Sequence, residues 1–134
     1  MYRVVLIDDE RLIVEGLRKV VKWADYGCEV VGTAENASTG AELIRSLQPH
    51  ILFTDIRMPG DSGLTMLAAL RSEFPGMQVV VLTGYRDFSY AQEAIRLGVS
   101  PGVRPVFWGT LGSHQGCQVA FRTLRWNVGL LLRL

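Results

Sequence analysis

Hydrophobic positions along the chain come in short β-branched runs separated by longer stretches in which apolar residues recur every three or four places. Tyr2 to Ile7 is the first run, apolar without a break from Val4 onward. Leu12, Ile13, Leu17, Val20 and Val21 follow at helical spacing and predict a helix from about Glu10 to Lys22, with Gly27 marking the turn after it. Glu29 to Ala34 reads as a second strand. Asn36 or Ser38 could cap the next helix, which carries Ala41, Leu43, Ile44 and Leu47 and stops at Pro49. Ile51 to Thr54 is almost wholly apolar, as expected of a central strand covered on both faces.

The same alternation continues to about residue 100. Pro59 to Gly63 reads as a loop, and a helix with Leu64, Leu67 and Leu70 inward follows it. Pro75-Gly76 is a turn, Val79 to Leu82 a fourth strand ending in Thr83-Gly84, and Phe88 to Leu97 a helix closed by Gly98. A fifth strand belongs near Val103 to Trp108, although Pro101 and Pro105 weaken it. Strands alternating with helices predict an α/β fold, a doubly wound parallel sheet of five strands.

Two of these runs end in acids: Ile7 leads into Asp8-Asp9-Glu10, and Thr54 into Asp55. In an open parallel sheet the carboxyl ends of the strands share one edge, and ligands bind there at the point where strand order reverses. Clustered carboxylates repel one another, so a cation is the expected occupant. The plainer alternative is that acids at a helix start simply suit the macrodipole, that Thr83 is a strand-end hydroxyl, and that Met58-Pro59 is ordinary loop entry.

Composition narrows the class. At 134 residues, 49% hydrophobic and 20% charged, the chain suits one folded domain rather than two. Its formal net charge of +1 conceals a split, because every Asp and Glu lies at or before Glu93 while Arg96, Arg104, Arg122, Arg125 and Arg133 follow. Cys28 and Cys117 have no metal-type spacing and no apparent signal peptide ahead of them, so reduced thiols and a cytoplasmic location are expected. No apolar stretch is long enough to span a bilayer. His50 and His114 lack partner spacing and receive no role, and Trp23, Trp108 and Trp126 read as packing residues.

Val-Leu-Ile-Asp-Asp-Glu (5 to 10), Phe-Thr-Asp-Ile-Arg-Met-Pro-Gly (53 to 60) and Val-Val-Leu-Thr-Gly-Tyr (80 to 85) together resemble the receiver domain of bacterial two-component response regulators. Residues 23 to 32 and 88 to 95 look like the subgroup usually joined to an AraC-type DNA-binding domain. The resemblance runs from Val4 to about Ser100 and implies a flavodoxin-like receiver fold that signals rather than acting as an enzyme. It further implies that Asp55 accepts a phosphoryl group from a sensor histidine kinase with Mg²⁺. By the same resemblance Asp9 and Asp55 touch the metal, Asp8 acts largely through water, and the Arg57 carbonyl fills another position. The Thr83 hydroxyl then turns to the phosphoryl oxygens, and Arg104 takes the place of a phosphate-contacting Lys if one residue has been lost. Homodimers are a further implied partner; nucleic acid and membrane are not expected partners of this chain.

After Ser100 the chain departs from the family. Counted without a gap from Thr83, the switch aromatic falls on Gly102 and the Lys on Pro105. The expected division is a receiver over residues 1–106 and an atypical tail over 107–134. That tail has no Lys, Asp or Glu, and its second half can be drawn as an amphipathic replacement for the final helix. The abrupt change is also what a reading-frame shift or an engineered junction just after Ser100 would produce. Two functional readings result: a working phosphoacceptor switch, or a degenerate receiver that binds partners independently of phosphorylation. A phosphohydrolase is disfavoured, since Arg57 stands where Asp-nucleophile phosphatases carry a second acid, and no Gly-rich phosphate loop is present.

Overall fold

The computed structural model describes residues 1–55, 69–70, 72–83, 103–107, 111, 115 and 117, with 83 and 103–107 described as backbone. The elements are β1 (Tyr2–Ile7), α1 (Arg11–Val20), a 3-10 turn (Trp23–Tyr26), β2 (Cys28–Ala34), α2 (Ala37–Leu47), β3 (Ile51–Thr54), β4 (Gln78–Thr83) and β5 (Val103–Phe107). They form one sheet in the order β2-β1-β3-β4-β5, with every pairing parallel. Chain order reverses between β1 and β3, which is the switch point the sequence places beside its acids.

The central strands explain why the sheet is covered on both sides. Val4 to Ile7 and Ile51 to Phe53 are fully buried. Alternate residues divide between two cores: Val4, Leu6 and Phe53 pack with Val14 and Leu17 of α1, while Val5, Ile7 and Leu52 pack with Ala37 and Ile44 of α2. The helix side of the first core also takes in Trp23, whose indole N–H donates to the Leu17 carbonyl at 3.2 Å and whose ring meets Phe53 edge-on at 5.3 Å. Trp23 therefore packs as expected; Trp108 and Trp126 lie outside the described residues, as do the loop from Pro59 and the helix over Phe88 to Leu97. Leu70 is helical and fully buried.

The choice of cap left open by the sequence is decided by a side-chain hydrogen bond. Asn36, rather than Ser38, caps α2: its side chain accepts from the Thr39 N–H at 2.8 Å. The helix ends on Gln48, held at φ 47, before Pro49. Close approach of α2 to the sheet depends on Gly40, where a Cβ would overlap Ile7 Cδ1 and stand 3.2 Å from Ile7 Cγ1.

The structure corrects the expected inner face of α1. Leu12 and Val20 are 84% and 56% exposed, and the buried stripe is Val14, Leu17 and Val21. One helix can press only a limited arc against a sheet, and five apolar positions spread over a wider arc than that; Val14, omitted from the expected set, belongs to the buried face. β5 forms despite Pro105, which is compatible with its place at the sheet edge, where one side of the strand has no ladder to complete.

Candidate functional site

The ladder of backbone hydrogen bonds does not stop at the strand ends. Asp8 N–H donates to the Ala34 carbonyl of β2 at 3.1 Å, and Asp55 N–H donates to the Ile7 carbonyl of β1 at 2.9 Å. The two residues are thus pinned side by side at the carboxyl edge, and Asp9 follows in the turn into α1. One carboxylate oxygen from each of Asp8, Asp9 and Asp55 lies within 4.8 Å of the others. Asp8 is buried, Asp55 is half-buried and Asp9 is exposed.

Burial gives the three acids different electrostatic characters. Asp8, only 3% exposed, has its carboxyl pushed up to about 7. Loss of water is the main cause, opposed by the Glu10 N–H that donates to Asp8 Oδ1 at 2.9 Å, and reinforced by the charges on Asp55 and Asp9. A carboxyl raised in this way lacks a counter-charge, which a divalent cation among these oxygens would supply. Two oxygens on opposite sides of one Mg²⁺ are about 4.2 Å apart, so a set spanning slightly more suits direct contact by some carboxylates and a water-mediated contact by another. The donor set fits Mg²⁺: all oxygen, with space on the exposed side for water.

Thr83 ends β4, and the pairing of Thr54 with Val81 puts its backbone at the same edge, just beyond the level of Asp55. Arg104 is placed differently. It pairs with Val80, whereas Phe107 pairs with Thr83. At about 3.3 Å per residue, Arg104 sits roughly 10 Å short of the edge along the strand. Arg57 lies outside the described residues.

Two contributors to the site, and one residue at the far edge of the sheet, were not singled out from sequence. Thr54, fully buried, donates its hydroxyl to the Asp55 carbonyl at 2.8 Å and so braces the turn that leaves the site. The Glu10 N–H on Asp8 was signalled by the local pattern, since an Asp two residues before a helix start commonly accepts from that amide. His50, which received no role, has a structural one: its Nδ1 accepts the Arg3 N–H at 3.0 Å at the opposite edge of the sheet. No signal in the spacing pointed to it.

A parallel sheet with this strand order and an acidic cluster at its switch point defines a flavodoxin-like domain with an acidic edge. The profile of the response regulator receiver domain matches residues 4–103, and the chain belongs to that family. Among curated proteins it is similar to the uncharacterized transcriptional regulatory protein YesN of Bacillus subtilis (strain 168), with 39% identity over 99 residues covering 74% of this chain and 27% of that protein. It is also similar to the transcriptional regulatory protein HptR of Staphylococcus aureus (strain N315), with 36% identity over 96 residues covering 72% and 37%. Among solved structures, the REC domain of AraT, a response regulator from Geobacillus stearothermophilus, superimposes with a TM-score of 0.75 at 34% identity, covering 94% of this chain and 97% of that one.

The chain spans about a third of the length of these curated relatives. It is a receiver domain of the kind found in transcriptional response regulators. Such domains are generally signalling modules rather than enzymes, and they bind Mg²⁺ at an acidic pocket. Among the described residues, no helix is long and apolar enough to cross a membrane.

Proposed function

We propose that Asp55 accepts a phosphoryl group from a sensor histidine kinase in a Mg²⁺-dependent reaction, and that this chain is the regulatory input of a longer transcriptional regulator with an AraC-type output. The observation that carries the reading is the convergence of the Asp8, Asp9 and Asp55 oxygens within 4.8 Å, with the Asp8 carboxyl driven up to about 7. A carboxylate attacks a phosphoryl group poorly because both are anionic, and it succeeds only where charge is neutralised and the partners are held in line. Mg²⁺ supplies that neutralisation when bound. Asp9 and Asp55 would hold it directly, Asp8 would act through a water, and the carbonyl of Arg57, which lies outside the described residues, would complete the protein ligands. Thr83 then offers its hydroxyl to the phosphoryl oxygens.

A second reading is favoured by the register of β5. With Phe107 opposite Thr83 and Arg104 three positions back, phosphorylation need not be relayed to a partner surface, and the chain would act as a phosphorylation-independent interaction module. In either case the receiver comprises residues 1–106, and 107–134 replaces the usual final helix. The tail's place against the sheet is supported by Leu111 and Cys117, 0% and 4% exposed, which join the core on the α1 side.

Intact mass after incubation with Mg²⁺ and acetyl phosphate discriminates the readings. A single phosphoryl adduct that is lost in Asp55→Asn and in chelator supports the acceptor site. No adduct on folded protein leaves the degenerate receiver.

A further inference from the structure

A donor of phosphoryl groups is itself an anion, and the edge it must reach is strongly acidic. Besides Asp8, Asp9 and Asp55, the rim carries Glu10, Glu15 and Glu35. Among the described residues whose side chains are placed, the cations at the other end of the sheet or helices are Arg3, Arg18, Lys19, Lys22 and Arg45. Arg11, two residues after Asp9 on the first turn of α1, is the one at the carboxyl edge.

Arg11 is also held in a particular way. Its Nε donates to Glu15 Oε1 at 3.1 Å, and the same nitrogen stands 3.9 Å from Glu35 Oε1, just past the end of β2. Two carboxylates from different elements therefore anchor the guanidinium through one nitrogen. Its terminal nitrogens have no partner among the described residues, and the side chain is 75% exposed. The exposed end of the side chain leaves its positive charge accessible to an arriving phosphate oxyanion. An exposed i,i+4 pair is weak enough to let the group swing toward an arriving anion.

We infer that Arg11 is a positioning residue that recruits the anionic phosphodonor to Asp55 across an otherwise repulsive rim. The inference rests on the phosphoacceptor reading above. In the step it serves, an Asp55 oxygen forms a bond to phosphorus while the bond from phosphorus to the leaving group breaks, the imidazole nitrogen of a phosphohistidine or the acetate of acetyl phosphate departing with the electron pair. Arg11 takes no part in bond making; it raises the local concentration of donor and is sensitive to screening. Glu15 and Glu35 set where the cation waits.

The test follows adduct formation by intact mass at low acetyl phosphate concentrations and saturating Mg²⁺, comparing the unaltered protein with Arg11→Gln, Arg11→Lys and Glu35→Gln. A single charge acting across a rim of this size changes the apparent second-order rate constant by about threefold at low salt, and more if it touches the donor. Arg11→Gln is expected to lower the constant at least that much and to flatten its salt dependence. Arg11→Lys restores most of the rate because it keeps the charge, and Glu35→Gln raises the rate because it removes a competing anion. The Mg²⁺ concentration for half-maximal rate stays within about twofold in all four proteins. Equal rate constants for the unaltered protein and Arg11→Gln, or a loss that Arg11→Lys does not repair, overturns the role of Arg11 while leaving Asp55 as acceptor. Absence of any adduct on the unaltered protein removes the acceptor reading, and the Arg11 inference with it.

Discussion

Replacing Asp8 by Asn makes the apo domain more stable at neutral pH, and the size of the gain can be worked from the site. Holding a carboxyl at about 7 instead of 3.8 corresponds to roughly 4 kcal/mol at about 1.4 kcal/mol per pH unit, if Asp8 bore the whole cost alone. Asp9 is exposed and Asp55 half-buried, so water screens the charges facing Asp8. About half of the figure, ~2 kcal/mol, is the expectation. Asn keeps the oxygen that accepts the Glu10 N–H, so that hydrogen bond survives the change. The sign follows from linkage: the folded-state value lies above the unfolded one, so the native protein binds this proton more tightly. Native stability contributed by protonated Asp8 is present below pH 3.8, is lost as pH rises toward about 7, and stays lost above it.

Urea unfolding in chelator, followed by far-ultraviolet circular dichroism, should therefore show Asp8→Asn and the unaltered protein close together near about pH 4 and separated by ~2 kcal/mol near about pH 8. Saturating Mg²⁺ should close most of the gap, because a cation that binds only the folded acids stabilises the unaltered protein preferentially. A gap independent of pH, or a variant less stable than the parent at about pH 8, would refute the electrostatic account of this edge.

Gly40→Ala should cost about 1–2 kcal/mol, an overpacking penalty of about 1–3 partly offset by the better helix propensity of Ala; adding Ile7→Val, which removes the colliding Cδ1, should recover most of it in a double-mutant cycle. Additive losses in that cycle would show that the helix shifts instead of clashing. Burial pushes the Cys28 thiol up to about 11 and raises Cys117 as well, so both should react with a disulfide reagent far more slowly in native buffer than in urea. His50 is driven below its ordinary 6.5 by burial and by the nearby Arg3 and N-terminal charges. It therefore favours the native state above that pH and less so below it, and an NMR titration of its ring protons should give a midpoint under 6.5; a midpoint above it would break the assigned acceptor role toward Arg3.

Much of the fold was legible because its central strands are buried on both faces. Val4 to Ile7 and Ile51 to Thr54 announce themselves as short apolar runs, and the acids that end them fall at the switch point without further information. The helix face was less legible: periodicity admitted Leu12 and Val20, and only the sheet determines that Val14, Leu17 and Val21 turn inward. The acidic trio was readable from spacing and resemblance, but the unequal burial that sets Asp8 apart is a property of packing. So is the register of β5, because strand pairing is fixed by hydrogen bonds to β4 and not by residue counts from Thr83. His50 shows the same limit, since an imidazole accepting one main-chain amide leaves no periodic trace.

The extension of the strand ladder to Asp8 N–H and Asp55 N–H has a kinetic consequence. Opening either amide to solvent requires separating β1 from its neighbour, so both should exchange hydrogen as slowly as strand interiors, unlike ordinary loop amides. A receptor group mounted on so stiff a backbone cannot itself move far when its charge changes. Whatever rearrangement follows must begin in side chains and in the turns beyond these two amides, with the β1–β3 seam acting as the fixed frame against which that motion is measured.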